Sequence, residues 1–207
     1  MGRPGLATLV VFCFAVAACH RPAPPLPPAP EPTPVPAEVI APPSADEQEV
    51  MAALATEGAQ SLGGLNAQSD VHHGATWLKG NVAEDRSTAY LLLGKLGEGG
   101  ASTLRFVVRY QGRSPADLST CTVAVDGVEV GSFSPALNRA DQPGDGSVVQ
   151  LADIHFDDVR SAVLAMINSR TAAIRTANGI EIRLGRTELE EMRRVLSAYL
   201  HLQGSAP

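Results

Sequence analysis

The chain has 207 residues, with 16 lysines and arginines against 22 aspartates and glutamates, which gives a formal net charge of −6. An acidic chain without a basic cluster argues against nonspecific binding to nucleic acid or to anionic lipid surfaces. The length is enough for one folded domain of ordinary size, since roughly 100–150 residues support a single hydrophobic core.

The first feature along the chain is an uncharged apolar run from Leu6 to Val16, which follows a single basic residue, Arg3. Its length lies within the roughly 7–15 residues of a signal-peptide core and below the ~20 residues that a membrane-spanning helix needs. The run therefore predicts an export signal. Cleavage after the small-x-small block Ala15-Val16-Ala17 would release a soluble secreted protein.

The block Val16-Ala17-Ala18-Cys19 resembles the lipobox of bacterial lipoproteins, in which a branched residue and two small residues precede an invariant cysteine. The resemblance implies cleavage between Ala18 and Cys19, a diacylglyceryl group on the Cys19 thiol, and a further acyl chain such as palmitate on the new amine. Two or more acyl chains give stable membrane attachment, at about 0.8 kcal/mol per buried methylene. Because position 20 is His and not Asp, the resemblance implies the outer membrane of the bacterial cell envelope.

Removal of residues 1–18 takes away one basic residue, so the mature chain carries 15 basic and 22 acidic side chains and a net charge of −7. The signal also removes Cys13. An acylated Cys19 leaves Cys121 without an intramolecular partner, whereas in a secreted, unacylated form these two cysteines are able to pair. The thiol state of Cys121 therefore distinguishes the two forms.

A proline-rich linker follows the lipidated cysteine over residues 19–43, and eleven of the 23 positions from 21 to 43 are Pro. Such a composition favours the extended polyproline conformation and cannot bury a core, so we expect a disordered linker. At ~3.1 Å per residue it reaches roughly 70 Å. Its expected role is a tether that lifts the domain off the membrane. A proline-rich docking ligand is the alternative.

Residues 44–68 are predicted to form a helix and its connection, and residues 69–204 the globular domain. Ser44-x-x-Glu47 is a capping box, which predicts a helix start after Ser44. Val50 and Leu54 lie four apart on an apolar side, and Gly63-Gly64 is a stop signal. The apolar side is narrow, so we expect this helix to be partly detached from the domain.

Period-two alternation begins at Thr76 and predicts antiparallel strands. Residues 88–93 are largely apolar at both odd and even positions, which predicts a strand that is buried on both faces. In the next strand, Leu104, Phe106, Val108 and Tyr110 share one face and mainly polar side chains share the other. We therefore predict a half-buried antiparallel strand.

Turn residues fix the register of a first hairpin. Asp126-Gly127 is typical of a two-residue type I′ turn. Such a turn pairs Val125 with Val128 and Val123 with Val130, which keeps the valines on one face.

The second hairpin contains Asn178-Gly179, but a two-residue loop there would pair Ile174 with Arg183 and mix the two faces. A three-residue loop pairs Ile174 with Ile182 and keeps the faces separate. We therefore expect three loop residues, with Gly179 in the left-handed conformation. Between the two hairpins, residues 138–146 are predicted to be a polar turn region.

Two more helices complete the predicted fold. Residues 156–167 have acidic residues in the first turn and an apolar side. A last helix is predicted after Thr187, with a second capping box, Thr187-x-x-Glu190, and an end near Gly204. The fold class is thus α+β, an antiparallel sheet with packed helices and a C-terminal helix. This arrangement looks like the globular parts of other uncharacterised bacterial lipoproteins, and no catalytic or binding residue carries over from that resemblance.

Two groups of side chains have suitable types for a metal site: Asp70, His72 and His73, and His155, Asp157 and Asp158. Adjacent histidines on a strand point to opposite faces, so they cannot bind one ion without a bend. The second group suits the start of a helix equally well. We therefore predict neither a metal nor a cofactor.

The sequence contains no HExxH, GxSxG, CxxC or phosphate-loop pattern, and we predict no catalytic residue. Cys121 has the chemistry of a nucleophile, and His155 is the candidate base. Cys121 shares a strand face with Val123, so a buried and inert thiol is favoured. Trp77 and Tyr110 would suit the floor of a glycan or peptide groove, although single aromatic residues more often belong to a core.

These features favour a lipid-anchored envelope protein whose domain binds or scaffolds another envelope component, either a protein or peptidoglycan, without catalysis. The alternative is a cell-envelope hydrolase or metal-dependent enzyme that uses His72 and His73 or the region of His155. A third hypothesis is an exposed sheet edge that pairs with a strand of a partner.

Overall fold

The computed structural model describes residues 42–70, 75–96 and 102–204, all within the compact unit Val39–Pro207. These residues form an α+β fold, as the sequence predicts. The elements in chain order are α1 (Ala45–Leu62), β1 (Asn66–Asp70), β2 (Ala75–Lys79), β3 (Thr88–Leu96), β4 (Ser102–Gly112), β5 (Cys121–Val125), β6 (Val128–Phe133), β7 (Ala136–Asp141), β8 (Val148–His155), α2 (Phe156–Ile167), β9 (Ala172–Thr176), β10 (Glu181–Leu184) and α3 (Arg186–Gly204).

The strands form two antiparallel sheets. One has six strands in the order β1-β2-β3-β4-β8-β7, and the other has four in the order β10-β9-β5-β6. In the six-stranded sheet, Phe106 of β4 lies between Leu91 of β3 and Ile154 of β8. Because side chains alternate along each strand, this register places all three on one face, which we call the inner face.

A single hydrophobic core joins the inner faces of both sheets to α2 and α3. Phe106 of the six-stranded sheet meets Phe133 of the four-stranded sheet edge to face, with ring centroids 5.5 Å apart. Phe156 of α2 meets Tyr199 of α3 in the same way at 6.3 Å. Such edge-to-face pairs add to the stabilisation from burial.

Helix α1 packs along α3. The capping box is confirmed, because the Glu47 N–H donates to Ser44 Oγ and the Ser44 N–H donates to the Glu47 carboxylate. Leu54 is only 1% exposed, so the expectation of a partly detached helix is wrong. The narrow apolar side of α1 is sufficient to dock the helix on α3, because Gly58 lets the two helices approach closely. A Cβ built on Gly58 would lie 2.3 Å from both His201 Cβ and the Ser197 carbonyl oxygen.

The first hairpin has the predicted turn and a partly different register. Asp126 and Gly127 have φ of 48° and 86°, as a type I′ turn requires, and Val125 pairs with Val128. Val123, however, pairs with Gly131 and not with Val130. The cause is a β-bulge, which inserts one extra residue into β6 and shifts every later pair.

The second hairpin is as predicted. Ile174 pairs with Ile182, and the Thr176 N–H donates to the Ile180 carbonyl oxygen at 2.9 Å, which leaves a three-residue loop. Gly179 has a φ of +80°. The requirement that apolar and polar side chains stay on separate faces therefore predicts the loop length correctly.

Other strand predictions need correction. Tyr90 and Leu92 of β3 are only half buried, so this strand is not buried on both faces, whereas β4 has the predicted half-buried pattern. Strands β1, β7 and β8 were not predicted. The predicted turn region 138–146 contains the end of β7, and the predicted domain boundary between residues 68 and 69 falls inside β1.

The helix predictions are confirmed in part. Helix α2 spans Phe156–Ile167, as predicted. Helix α3 begins at Arg186, so the Thr187 capping box does not form. Instead, the Gly185 N–H donates to the Glu188 carboxylate at 3.1 Å, and Glu190 pairs with Arg186 one turn along. Among the helices of the described ranges, none is long and apolar enough to cross a membrane.

Candidate binding face on the six-stranded sheet

The six-stranded sheet has a second face, which points away from the core. Leu91 and Phe106 belong to the inner face and are fully buried. The alternate residues of the same strands therefore project from the opposite side, which we call the outer face. In β2, β3, β4 and β8 these residues include Trp77, Lys79, Tyr90, Leu92, Arg105, Val107, Arg109, Leu151 and Asp153.

Trp77, the single tryptophan of the chain, lies on this face and is half buried. It pairs with Gly94 of β3, and a Cβ on Gly94 would lie 2.6 Å from Trp77 Cζ3. The indole therefore lies directly over the backbone of the neighbouring strand. A glycine inside a strand is unfavourable unless something approaches closely, and here the aromatic ring does so.

The centre of the outer face combines an apolar side chain with an ion pair. Val107 is 5% exposed. Beside it, Arg105 and Asp153 form an ion pair between β4 and β8, in which Arg105 Nη2 donates to Asp153 Oδ1 at 2.9 Å. This arrangement neutralises both charges within the sheet face.

Toward one end of the outer face lies a groove of about 480 Å³. Its floor includes Tyr90, Arg109 and Leu151. One side is the connection between β2 and β3, and the other is β7 with the turn that follows it. The connection is held in place by Ser87, whose Oγ donates to the Gln111 carbonyl oxygen at 3.0 Å and accepts from the Gln111 N–H at 2.9 Å.

Most charges along this groove are paired. Lys79 Nζ lies 2.5 Å from Glu84 Oε1, and Arg139 forms an ion pair with Asp141. The hydrogen bond from Lys79, together with its charge, lowers the pKa of Glu84. Burial raises the pKa of Tyr90, so the phenol stays neutral at physiological pH.

Arg109 is held differently. Its Nη1 donates to the Arg86 carbonyl oxygen at 2.7 Å and to Gln111 Oε1 at 2.9 Å. No carboxylate among residues 42–70, 75–96 and 102–204 forms a salt bridge with it. Both contacts are to neutral oxygens. The charge of Arg109 also helps to lower the pKa of Glu84, so a carboxylate is near it in the groove but does not touch it.

The two aromatic candidates lie in different places. Trp77 is on the outer face, whereas Tyr110 is on the inner face, 7% exposed, and its hydroxyl donates to the Ser114 carbonyl oxygen at 2.8 Å. Sequence reasoning missed Tyr90 and Arg109 as groove residues. In the register of β3 and β4, even-numbered residues of β3 share a face with odd-numbered residues of β4, so Tyr90 and Arg109 lie on the same face. No sequence motif in either strand indicates a groove.

The structure does not bring Cys121 and His155 together. Cys121 is fully buried beside Val123 in the four-stranded sheet, as predicted, and burial raises the pKa of its thiol to about 11. His155 is exposed at the end of β8 in the other sheet. A neutral, enclosed thiol is a poor nucleophile.

The two groups of side chains with suitable types for a metal site lie only partly within the described residues. His155 is the N-cap residue of α2 without a side-chain cap bond, and Asp157 and Asp158 occupy the first turn. Asp70 is in β1. In the described part of the chain, no group of three or more His, Cys, Asp or Glu side chains is arranged to hold a metal. His72, His73, Ala18 and Cys19 lie outside the described residues.

A second surface lies on the four-stranded sheet. Its outward face forms a cavity of about 490 Å³, lined by small residues such as Ala124 and Ala173 and by Arg175. At the edge of this sheet, Val128 and Val130 of β6 are 66% and 43% exposed. Strand addition requires a sheet edge with unpaired backbone N–H and C=O groups, and β6 is at the edge of this sheet.

Comparison with known protein families, with curated proteins and with solved structures finds no match to this chain.

Proposed function

We propose that this chain is a lipid-anchored protein of the bacterial cell envelope whose globular domain binds another envelope component and catalyses no reaction. The lipobox-like block that ends at Cys19 and the proline-rich stretch to residue 43 support the anchor and the tether. A tethered domain placed roughly 70 Å from the membrane reaches partners such as envelope proteins or peptidoglycan.

The observation that supports binding best is the composition of the outer face. It presents Trp77 and Tyr90 half exposed between charged side chains whose positions are fixed by ion pairs and hydrogen bonds. Aromatic rings with a polar edge and fixed charges are typical of recognition surfaces. We therefore assign partner binding to the outer face.

Two measurements test the proposal. Mass spectrometry of the mature N-terminus is expected to show an acylated Cys19 as the first residue. Co-sedimentation of the mature chain with purified peptidoglycan sacculi, and its retention of solubilised envelope proteins, are expected to show binding that Trp77→Ala and Arg139→Glu reduce. Arg183→Glu is the matched control, because Arg183 is 85% exposed on the other sheet. An unmodified Cys19, or binding that the control reduces as strongly, would contradict the proposal.

The enzymatic alternative makes a different prediction. A metal-dependent hydrolase would retain metal during purification and would lose turnover of cell-wall or lipid substrates after His73→Ala or His155→Ala. Metal analysis of the purified chain and assays of both variants distinguish this activity from binding alone.

A further inference from the structure

We propose that the groove at the end of the outer face binds the peptidoglycan stem peptide, through a bidentate contact between Arg109 and a peptide carboxylate. This inference rests on the proposed function and identifies the class of ligand for the same face. It depends on how Arg109 is held, on the charges around it and on the size of the groove.

Among residues 42–70, 75–96 and 102–204, the hydrogen-bond partners of Arg109 all contact Nη1, and none contacts Nε or Nη2. Both bonds come from Nη1, to Arg86 O and Gln111 Oε1. The Nε–H and one Nη2–H point together along the opposite edge and form the fork that matches the two oxygens of a carboxylate. Because the Nη1 bonds already fix the plane of the group, little conformational entropy remains to be lost on binding.

The charge of the groove favours a ligand with carboxylates. Three cations, Lys79, Arg109 and Arg139, face two carboxylates, Glu84 and Asp141, so the lining has a surplus positive charge. This surplus occurs on a chain whose mature form has a net charge of −7. Complementary charge steers and orients an anionic partner. A neutral glycan has no carboxylate to offer the Arg109 guanidinium.

The remaining groups fit the other features of a stem peptide. Such a peptide carries free carboxylates and, where diaminopimelate is present, a primary amine. A carboxylate has about four lone-pair sites, so Glu84 and Asp141 keep acceptor capacity for that amine beyond their bonds to Lys79 and Arg139. The volume of about 480 Å³ lies within the roughly 300–1,000 Å³ of small-ligand sites, which suits a short peptide and not a folded domain.

The probe is the free tetrapeptide L-Ala-γ-D-Glu-meso-diaminopimelyl-D-Ala, titrated into the mature chain in detergent by isothermal calorimetry. Arg109→Gln is expected to weaken binding roughly tenfold to hundredfold, because it removes a charge-assisted bidentate contact. Arg109→Lys keeps the charge but lacks the fork, and it is expected to lose most of the affinity too. Arg183→Gln is the matched control, and urea unfolding of each variant checks that the fold is retained.

The outcomes separate this inference from the proposed function. Equal binding of the tetrapeptide by Arg109→Gln, or equal binding of a fully amidated tetrapeptide by the wild-type chain, would overturn the inference. So would binding of intact sacculi or of an envelope protein without any binding of the tetrapeptide, although the proposed function would then stand. If no envelope component binds, both are wrong.

Discussion

Replacing Gly58 with Ala tests how α1 is attached to the domain. The new Cβ would lie 2.3 Å from the Ser197 carbonyl oxygen and from His201 Cβ, where ordinary contacts are 3.4 Å or longer. Neither atom is able to rotate away, because one belongs to the main chain and the other is attached to it. The two helices therefore have to separate by about 1 Å, and overpacking of this kind costs about 1–3 kcal/mol.

A second effect opposes the first. Alanine is the better helix former by about 1 kcal/mol, and this gain applies whether or not α1 is docked. Since the steric clash involves backbone atoms, we place the cost of overpacking in the upper part of the range of about 1–3 kcal/mol. The expected net result is a loss of about 1–2 kcal/mol in the free energy of unfolding. Docking of Leu54 alone contributes about 1.5–3 kcal/mol, so the helix is expected to loosen before it detaches.

Urea unfolding of the mature chain measures this loss as a lower midpoint at an unchanged slope. Gly63→Ala is the matched control at the end of the same helix. Gly63 has a φ of −66° and its nearest neighbour is Gln60 O at 4.0 Å, so alanine fits without strain. A Gly58→Ala variant as stable as the wild type, or more stable, would refute the close approach of α1 to α3.

Three further changes test other parts of the structure. Gln150→Ala removes two hydrogen bonds to the buried Ala116, whose N–H donates to Gln150 Oε1 at 2.7 Å and whose carbonyl oxygen accepts from Gln150 Nε2 at 3.2 Å. We expect urea unfolding to show a loss of about 1–3 kcal/mol in the free energy of unfolding. The control Gln60→Ala, at an exposed position, should show no loss. Gly94→Ala is expected to displace the only tryptophan and shift its fluorescence to longer wavelength, unlike the unobstructed Gly131→Ala. Because the Cys121 thiol has a pKa of about 11 when folded and 9.0 in the reference state, the unfolded chain loses this proton first as pH rises. Stability should therefore fall by roughly 1–3 kcal/mol between pH 9 and 11, and a variant with Cys121→Ala should show a smaller fall.

Local chemistry explains which parts of the fold the sequence predicts. The type I′ turn at Asp126-Gly127, the length of the second loop and the extent of α2 all follow from a few adjacent residues. Strand β1 has no such signal, because its sequence Asn-Ala-Gln-Ser-Asp is polar at every position except Ala67 and shows no alternation of apolar and polar residues. It is an edge strand that pairs with β2 through the backbone, and its Asn66 Nδ2 donates to Asn81 Oδ1 at 2.9 Å. Backbone pairing of this kind cannot be recognised from the pattern of side chains.

The bulge in β6 is a second feature that the side-chain pattern does not predict. Alternation predicts that Val128 and Val130 share the core-facing side with Val123 and Val125. The extra residue in β6 moves Gly131 into the position opposite Val123, and Val130 remains exposed. A bulge depends on the twist of the whole sheet edge, which a turn sequence does not specify.

The candidate groove is harder to predict because it depends on the register of β8, a strand that the side-chain pattern does not reveal. Alternation correctly places Arg105 and Arg109 on the same face of β4. The register places Asp153 of β8 opposite Val107, diagonal to both arginines, and His155 and Leu151 directly opposite Arg105 and Arg109. Asp153 forms its ion pair with Arg105, and Arg109 faces an uncharged side chain. The surplus charge of the groove is thus a property of strand pairing and not of either strand by itself.

This dependence on register gives a last test. Leu151→Asp places a carboxylate directly opposite Arg109, where facing side chains of an antiparallel pair have Cβ atoms about 4.5–5.5 Å apart. The new ion pair would occupy the Nε and Nη2 edge of the guanidinium and repel a ligand carboxylate, so the affinity for the stem tetrapeptide should fall roughly tenfold or more. Leu151→Asn has nearly the same shape without the charge and should keep most of the affinity. If both variants bind the tetrapeptide equally well, Arg109 does not recognise the ligand by its charge, and calorimetry of the two variants side by side decides the question.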